Sequence, residues 1–439
     1  MAIEISTAFA LPSPRLPPPD HVFRPDRTLF WLAAASFASM ASMRIGDPML
    51  PALAAEFGTT AAGAAGVVTL YTIGYGVSQL AHGPLGDRIG KARYIAGAAL
   101  AAALASLLCA LAPGLAMLEI ARLLTGSIAA AIIPLSMAWV GDTVPYGERQ
   151  ATLAKFLNGT ILGLILGQAM GGAMADTLGW RWAFVLLAAI FAVSGWKLRA
   201  VVRAGAVANA GAAAGTSGAT APSSPSLASA ASLDPAVPAG TLARYGLVLR
   251  SAWARTILAV VAIEGLFAFG ALAFVPTSLH ERAGLPVWLA GATVAAFGLG
   301  GFAYTTTAAR LVRRFGETGL ALAGGVVLAA GFALIAAAPG ALAGAVACAL
   351  IGLGYHMLHN TLQTHATQMA PSVRGTAVAL FAMSLFIGQS LGVTLAAGAL
   401  HATGFVPVFA MAAVGLLATG AAFSMLLRRR IHHSGRERA

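Results

Sequence analysis

Charge is what this sequence has least of. Only 10% of its 439 residues are Asp, Glu, Lys or Arg, and 58% are apolar; a soluble chain carries about 25% charged residues. So little charge cannot coat a water-facing surface, which excludes an ordinary soluble protein and makes lipid the solvent over most of the exterior. Cysteine is nearly absent as well. Cys109 and Cys348 both sit inside apolar runs, so there is no disulfide framework and no thiolate metal spacing; they read as small buried hydrophobes. No Ser/His/Asp elbow, H-E-x-x-H zinc motif or phosphate-cradling glycine loop with lysine occurs. No extramembrane segment could hold a nucleotide. These absences exclude an enzyme and an ATP-driven pump, and lead us to expect no cofactor and no metal. Met1–Arg27 is proline-rich, without the basic-then-apolar order of a signal peptide. It reads as part of a disordered cytoplasmic tail over 1–28.

What is present is a series of apolar runs long enough to span a bilayer, each needing roughly 20 residues. Helices are predicted over 29–52, 61–84, 94–112, 115–141, 150–175 and 181–200, then 253–277, 286–309, 319–338, 341–366, 374–399 and 405–427. The expected organisation is an N-terminal six-helix half (29–203), a cytoplasmic linker rich in Ala, Gly, Ser and Pro (204–250), a C-terminal half (251–428) and a basic tail (429–439). The net charge of +12 is not a nucleic-acid patch, because the basic residues punctuate the apolar runs. Arg88, Lys91, Arg93, Arg149, Lys155, Lys197, Arg199, Arg203, Arg310, Arg313, Arg314 and Arg374 fall on one side, with little beyond Arg181 and Arg282 on the other. That asymmetry predicts cytoplasmic termini and linker. A shift of about 226 positions superposes Arg88 on Arg314, Gly90 on Gly316, Gly126 on Gly352 and Pro145 on Pro371. One position of slippage aligns Arg149 with Arg374 and Gly163/Gly167 with Gly388/Gly392. The chain therefore reads as all-α, a polytopic membrane protein with twelve transmembrane helices in two pseudo-symmetric halves.

Polar groups within spans are costly and mark cavities. They concentrate on the first, fourth, seventh and tenth helices. Arg44 and Asp47 are three apart on one helix face: either a neutralised pair at the outer end or a substrate or proton site. Glu119 and Arg122 repeat the spacing, with Glu119 nearer the interface. Glu264 has no cation within a turn in sequence, which suits a reversible proton carrier or a hydrogen-bonded core acid. His356, His359, Asn360 and Gln363 form one polar stripe toward a cavity, supported by Tyr355.

The loop Gly83-Pro84-Leu85-Gly86-Asp87-Arg88-Ile89-Gly90-Lys91-Ala92-Arg93 resembles the signature G-x-L-x-D-R-x-G-[RK]-x-[RK] of the major facilitator superfamily. Its second copy, Leu311-Val312-Arg313-Arg314-Phe315-Gly316, lacks the aspartate. Arg122-Leu123-Leu124-Thr125-Gly126 is similar to the family's R-x-x-x-G element, and Asp142, Pro145 and Arg149 are family-like. Gly163, Gly167, Gly171 and Gly172 resemble an antiporter glycine element, in which Gln168 here replaces a proline. The resemblance spans about 29–428 and implies the major facilitator fold, with Asp87 set against the eleventh helix and Arg88 against Asp142 as a conformational switch.

Together these readings predict a proton-coupled exporter of small hydrophobic or amphiphilic compounds, of the drug:proton antiporter kind. Asp47 and Glu264 would exchange protons. Arg44, Tyr71, Arg122, Phe267 and the tenth-helix stripe would line the substrate cavity. It would be a monomer in a bacterial inner membrane, driven by the proton gradient without cofactor, metal or nucleic acid. The alternative is a proton symporter importing a sugar or organic anion.

Overall fold

The computed structural model describes residues 25–215 and 241–436. Among them every regular element is a helix. The first traverse is broken: α1 (Pro25–Arg44) gives way at Gly46 and Pro48 and resumes as α2 (Leu50–Phe57). Next come α3 (Gly66–Ile89) and α4 (Lys91–Ala110). A second broken traverse is α5 (Leu115–Ala129) with α6 (Ile132–Thr143). Then α7 (Tyr146–Thr177) and α8 (Trp180–Gly215) complete the first half. A short α9 (Thr241–Arg250) leads into α10 (Ala252–Leu272) and α11 (Val275–Ala283), again one broken traverse. The remainder is α12 (Val287–Val294), α13 (Ala296–Ala337), α14 (Ala341–Gln368), α15 (Arg374–Thr403) and α16 (Phe405–Arg436).

Nine stretches among the described residues are long and apolar enough to cross a membrane. Three further considerations bring the element order into line with twelve traverses. The broken α1/α2 traverse and α3, rich in Gly, Thr and Tyr, are not among the nine, and α13 is two helices joined at Gly316, where φ is +62°. The repeat read from sequence goes deeper in three dimensions. Among the described residues all six positive-φ glycines pair across it: Gly58 with Gly284, Gly90 with Gly316, Gly179 with Gly404. Each pair ends equivalent helices, because only glycine turns the chain there without strain. The α1/α2 and α10/α11 breaks also fall at equivalent positions. Discontinuous helices of this kind line cavities in transporters, where their freed backbone groups can be used.

Close backbone approach repeats as well. Gly163 and Gly167 of α7 rest on Phe37 and Ala41 of α1; Gly388 and Gly392 of α15 rest on Ala262 and Leu266 of α10. Gly126 rests on the Tyr71 carbonyl as Gly352 does on that of Phe297. Small residues permit this proximity, and dispersion contacts then hold the helices together where no hydrophobic drive exists in lipid.

The stretch read as a cytoplasmic linker, 204–250, is helical where it is described. Its central portion, 216–240, lies outside the described residues, but both ends are helical. α8 continues to Gly215, and α9 packs its Tyr245 and Val248 inward, the Tyr245 hydroxyl donating to the Leu80 carbonyl at 3.1 Å. Tyr245 and Val248 are three apart, so a single helical turn presents both to the core. Arg255 donates to the carbonyls of Leu249 and Arg250, satisfying the end of α9. At the chain's ends, α1 begins four residues before the predicted start, and residues expected as a basic tail continue α16 to Arg436. Residues 1–24 and 437–439 lie outside the described residues.

Candidate functional site: a polar line across the half interface

Between the halves lies a set of buried polar groups. Arg44 closes α1, and Asp47 sits in the break that follows, both fully inside the protein. Their nearest atoms, Nη1 and Oδ2, are 3.6 Å apart. Asp47 Oδ2 also accepts from Gln168 Nε2 of α7 at 2.9 Å. The residue that departs from the family's glycine element is therefore the one that holds the acid. The Arg44 guanidinium lies 4.2 Å from the ring centre of Phe269 on α10, and its Nε and Nη1 make no hydrogen bond among the described residues. A cavity of about 10 Å³ adjoins Arg44 and Gln168 and is walled by Leu164, Leu272 and Phe297, enough for about one water-sized group.

In the other half, Glu264 is buried on α10 and is not alone. His359 of α14 brings Nδ1 to 2.8 Å from Oε2. The expectation of an acid without a basic neighbour is thus corrected: the partner comes from another helix, beyond the reach of a one-turn window. Tyr355 stacks on the His359 ring at 4.8 Å and 17°, and meets Phe269 edge-on at 4.9 Å. Asp47, Arg44, Phe269, Tyr355, His359 and Glu264 thereby form one unbroken line of contacts from acid to acid across the half interface. Beside it, Gln389 of α15 is buried with neither amide atom hydrogen-bonded among the described residues.

Other predicted site residues fall elsewhere. Arg122 is buried, but it does not pair with Glu119. Its Nε donates to the Val67 carbonyl at 3.1 Å, its Nη1 to Ser42 Oγ at 3.2 Å, and Tyr71 lies beneath it at 4.0 Å. Glu119 instead packs over Gly66. Tyr71, expected at the substrate, is fully buried and gives its hydroxyl to the Ser39 carbonyl. It braces the arginine within the first half. Phe267 points to Gly415 of α16, so Phe269, two residues on, is the aromatic of the line. The tenth-helix stripe divides. His359 turns to α10, whereas His356 bonds the Gly352 carbonyl at 2.7 Å and packs against Gly301, Phe297 and Tyr304. Asn360 reaches the Tyr304 hydroxyl, and Gln363 is exposed.

The halves meet on the side away from the arginine-rich loops. The hydroxyls of Thr72 and Ser390 lie 2.7 Å apart, and Tyr75 meets Phe386 at 4.8 Å. Gly172 abuts Val287 and Trp288, and the Trp288 amide donates to Asp176 Oδ2 at 2.7 Å. On the arginine-rich side they separate. On α7 the buried positions are Gly163, Gly167, Gln168, Gly171 and Gly172, with only Phe156 in the nearer half. There Gly83 has nothing close above it, Asp87 is 66% exposed, and Lys91 takes both Asp87 (3.1 Å) and Asp142 (2.5 Å). The expected Arg88–Asp142 pair does not form: Arg88 is exposed, and Lys91, one turn beyond Asp87, is the cation that reaches both carboxylates. Arg149 donates to the Val144 carbonyl at 2.8 Å, fixing the turn into α7.

Known proteins resemble the chain in sequence and in fold. The MFS-type transporter EfpA of Mycobacterium tuberculosis is 38% identical over 156 residues, covering 35% of this chain and 29% of EfpA. Fatty acid resistance protein FarB of Neisseria gonorrhoeae is 30% identical over 38% of this chain and 32% of its own. Multidrug export protein EmrB of Escherichia coli is 27% identical over 35% and 30%. The match spans about a third of the length of these relatives. Among solved structures, nucleoside transporter NupG superposes with a TM-score of 0.65 at 16% identity, over 91% of this chain and 98% of that one. A bacterial homologue of the lysosomal transporter Spinster, inward-facing and unoccupied, gives 0.67 at 15%, over 92% and 98%. The family description Major Facilitator Superfamily matches residues 32–393, so with its repeat, its broken helices and its polar line, the chain belongs to this family of membrane transporters, which are not enzymes.

Proposed function

We propose that this transporter exports small hydrophobic or amphiphilic compounds in exchange for protons, as a monomer in a bacterial inner membrane with its arginine-rich face in the cytoplasm. The observation that carries the reading is the line from Asp47 to Glu264. It links two buried acids in opposite halves through a cation, two aromatic rings and a histidine. One proton is held in the Glu264–His359 contact, on Nδ1 when the acid is ionised and on Oε2 when it is neutral. A compound entering from the open face lies against Phe269, Tyr355 and Phe297, whose apolar surface suits an amphiphile. Its binding beside Glu264 favours release of the proton to the cytoplasm. The contacts at Thr72–Ser390 and Asp176–Trp288 then part while the opposite side closes over Gly83. Release outward and return of a proton to the acids reset the cycle. The driving force is the proton gradient, with no cofactor. The names of the export and resistance relatives support the direction.

A second reading, symport of an organic anion, is favoured by one feature: beside its ion pair with Asp47, Arg44 has guanidinium nitrogens without hydrogen-bond partners among the described residues, which a carboxylate could take. Purified protein in liposomes with an internal pH dye separates the two. Proton movement opposite to lipophilic cations or antibiotics, lost in Glu264→Gln, supports export. Proton movement together with an organic acid or sugar would overturn it.

A further inference from the structure

The structure holds a second charged feature, remote from the polar line. Where α4 and α8 leave the membrane on the arginine-rich face, a groove of about 460 Å³ opens between them. Its walls are Arg93 of α4 and Arg199 and Arg203 of α8; its floor is Ala96, Gly97 and Val202. Arg199 and Arg203 are four apart, so they share one helix face. The two helices are drawn together just inside, where Gly195 packs on Ala96 and Leu100. Above Gly97 the space is open, since a side chain added there would meet nothing.

Charge balance at this groove is unlike that of its neighbour. Lys91, two residues before Arg93, is paired with both Asp87 and Asp142. Among the described residues none of Arg93, Arg199 and Arg203 is in an ion pair. Three arginines thus line one groove whose lining holds no carboxylate, Arg93 standing also on the wall of the neighbouring groove that contains Asp87 and Asp142. Depth is marked by Trp196, 62% exposed on α8 with Lys197 Nζ 4.9 Å from its ring, the arrangement of a side chain at the lipid–water boundary. Arg199 lies about 4.5 Å further out along the axis, at the level of lipid phosphates. The apolar floor runs the other way, into the hydrocarbon.

The geometry points to a binding site for an anionic phospholipid, a phosphatidylglycerol-type phosphodiester. The arginines hold its headgroup, and one acyl chain lies over Gly97 and Ala96. The planar guanidinium presents paired donors that match phosphate oxygens. A soluble phosphate would satisfy the arginines but leave the apolar floor uncovered, so the two-part surface favours a lipid. The site is separate from the polar line and does not depend on the direction of transport.

Native mass spectrometry of the full chain in detergent tests this, with phosphatidylglycerol, phosphatidylcholine, glycerol 3-phosphate and inorganic phosphate as probes. Wild type is expected to retain phosphatidylglycerol over phosphatidylcholine by roughly tenfold, each basic residue near a membrane surface adding to the attraction. The variant R93Q/R199Q/R203Q is expected to lose that preference. R250Q/R313Q/R428Q, which removes the same charge from dispersed exposed positions, is expected to keep it. Should the first variant fold poorly, R93K/R199K/R203K preserves the charge and removes the fork, and is expected to weaken the preference severalfold. Equal losses in the convergent and dispersed variants would mean a general surface-charge effect. Displacement by glycerol 3-phosphate or phosphate at equal concentration would mean a soluble-anion site. Either result, or an unchanged preference in the arginine-to-glutamine triple, overturns the proposal.

Discussion

Glu264 and His359 are 95 positions apart in the chain and 2.8 Å apart in space. Replacing Glu264 by Gln keeps the volume and one hydrogen bond but removes the exchangeable proton. Proton flux coupled to substrate is expected to fall to the level of empty liposomes, while substrate binding measured by tryptophan fluorescence persists. Loss of binding together with flux would assign Glu264 a structural role instead. Gln168 gives a second test. Leucine there takes the hydrogen bond from Asp47, leaving a buried charged group short of a partner, which costs about 1–3 kcal/mol. A lower melting temperature in detergent and a slower transport rate are expected, and an unchanged melting temperature would sink the assignment of Gln168 as the holder of Asp47. At this scale the sequence displayed the right residue types in the right spans, including Arg44, Asp47, Glu264 and His359. It could not distinguish Phe267 from Phe269 or see that Tyr71 braces Arg122. Which way a side chain turns on an almost wholly apolar helix is set by its neighbours, and the polar/apolar contrast that would reveal a helix face is missing.

Among the helices, glycine is the contact chemistry. Gly388 rests on the Ala262 carbonyl as Gly163 does on that of Phe37. A valine at Gly388 must push α15 off α10, and overpacking of this kind costs about 1–3 kcal/mol. Gly388→Val is expected to lower the melting temperature in detergent by several degrees, and no shift would mean that the seam is plastic. Gly83 is expected to behave differently. It has open space around it in this conformation, so Gly83→Val should melt like wild type yet transport poorly, because the added side chain interferes only when the arginine-rich side closes. Normal transport by Gly83→Val would remove the loop from the proposed switch. The repeat at this scale was legible from Gly90/Gly316 and the paired glycines of α7 and α15. The pairing of the α1/α2 and α10/α11 breaks was not, since a helix interruption leaves no fixed residue signature: Pro48 marks one and Pro276 lies beyond the other.

For the whole molecule, the halves touch on one side and part on the other. Thr72 and Ser390, with hydroxyls 2.7 Å apart, are placed for a cross-link. Thr72→Cys with Ser390→Cys is expected to form a disulfide under mild oxidation, S–S bonds being about 2.05 Å long. Transport should stop and return on reduction. The two native cysteines are both buried, so they need not be removed first. Transport that continues through the oxidised protein would mean that these helices need not separate during the cycle.

Composition and periodicity determined by themselves that the protein lives in a bilayer, that it is helical throughout its spans, and that it is built from a repeated unit. The scarcity of charge and the length of the apolar runs leave no other solvent and no other backbone pairing, since a lone segment in lipid must satisfy its own hydrogen bonds. Tertiary structure alone decided the rest: that Glu264 has a histidine beside it, that Gln168 stands where a proline was expected in order to hold Asp47, that Lys91 and not Arg88 takes Asp142, and on which side the halves close. Each of these is a meeting of groups from different helices. Within lipid such meetings depend on packing and on the few polar partners within reach, and neither is written in the spacing of residues along a single helix.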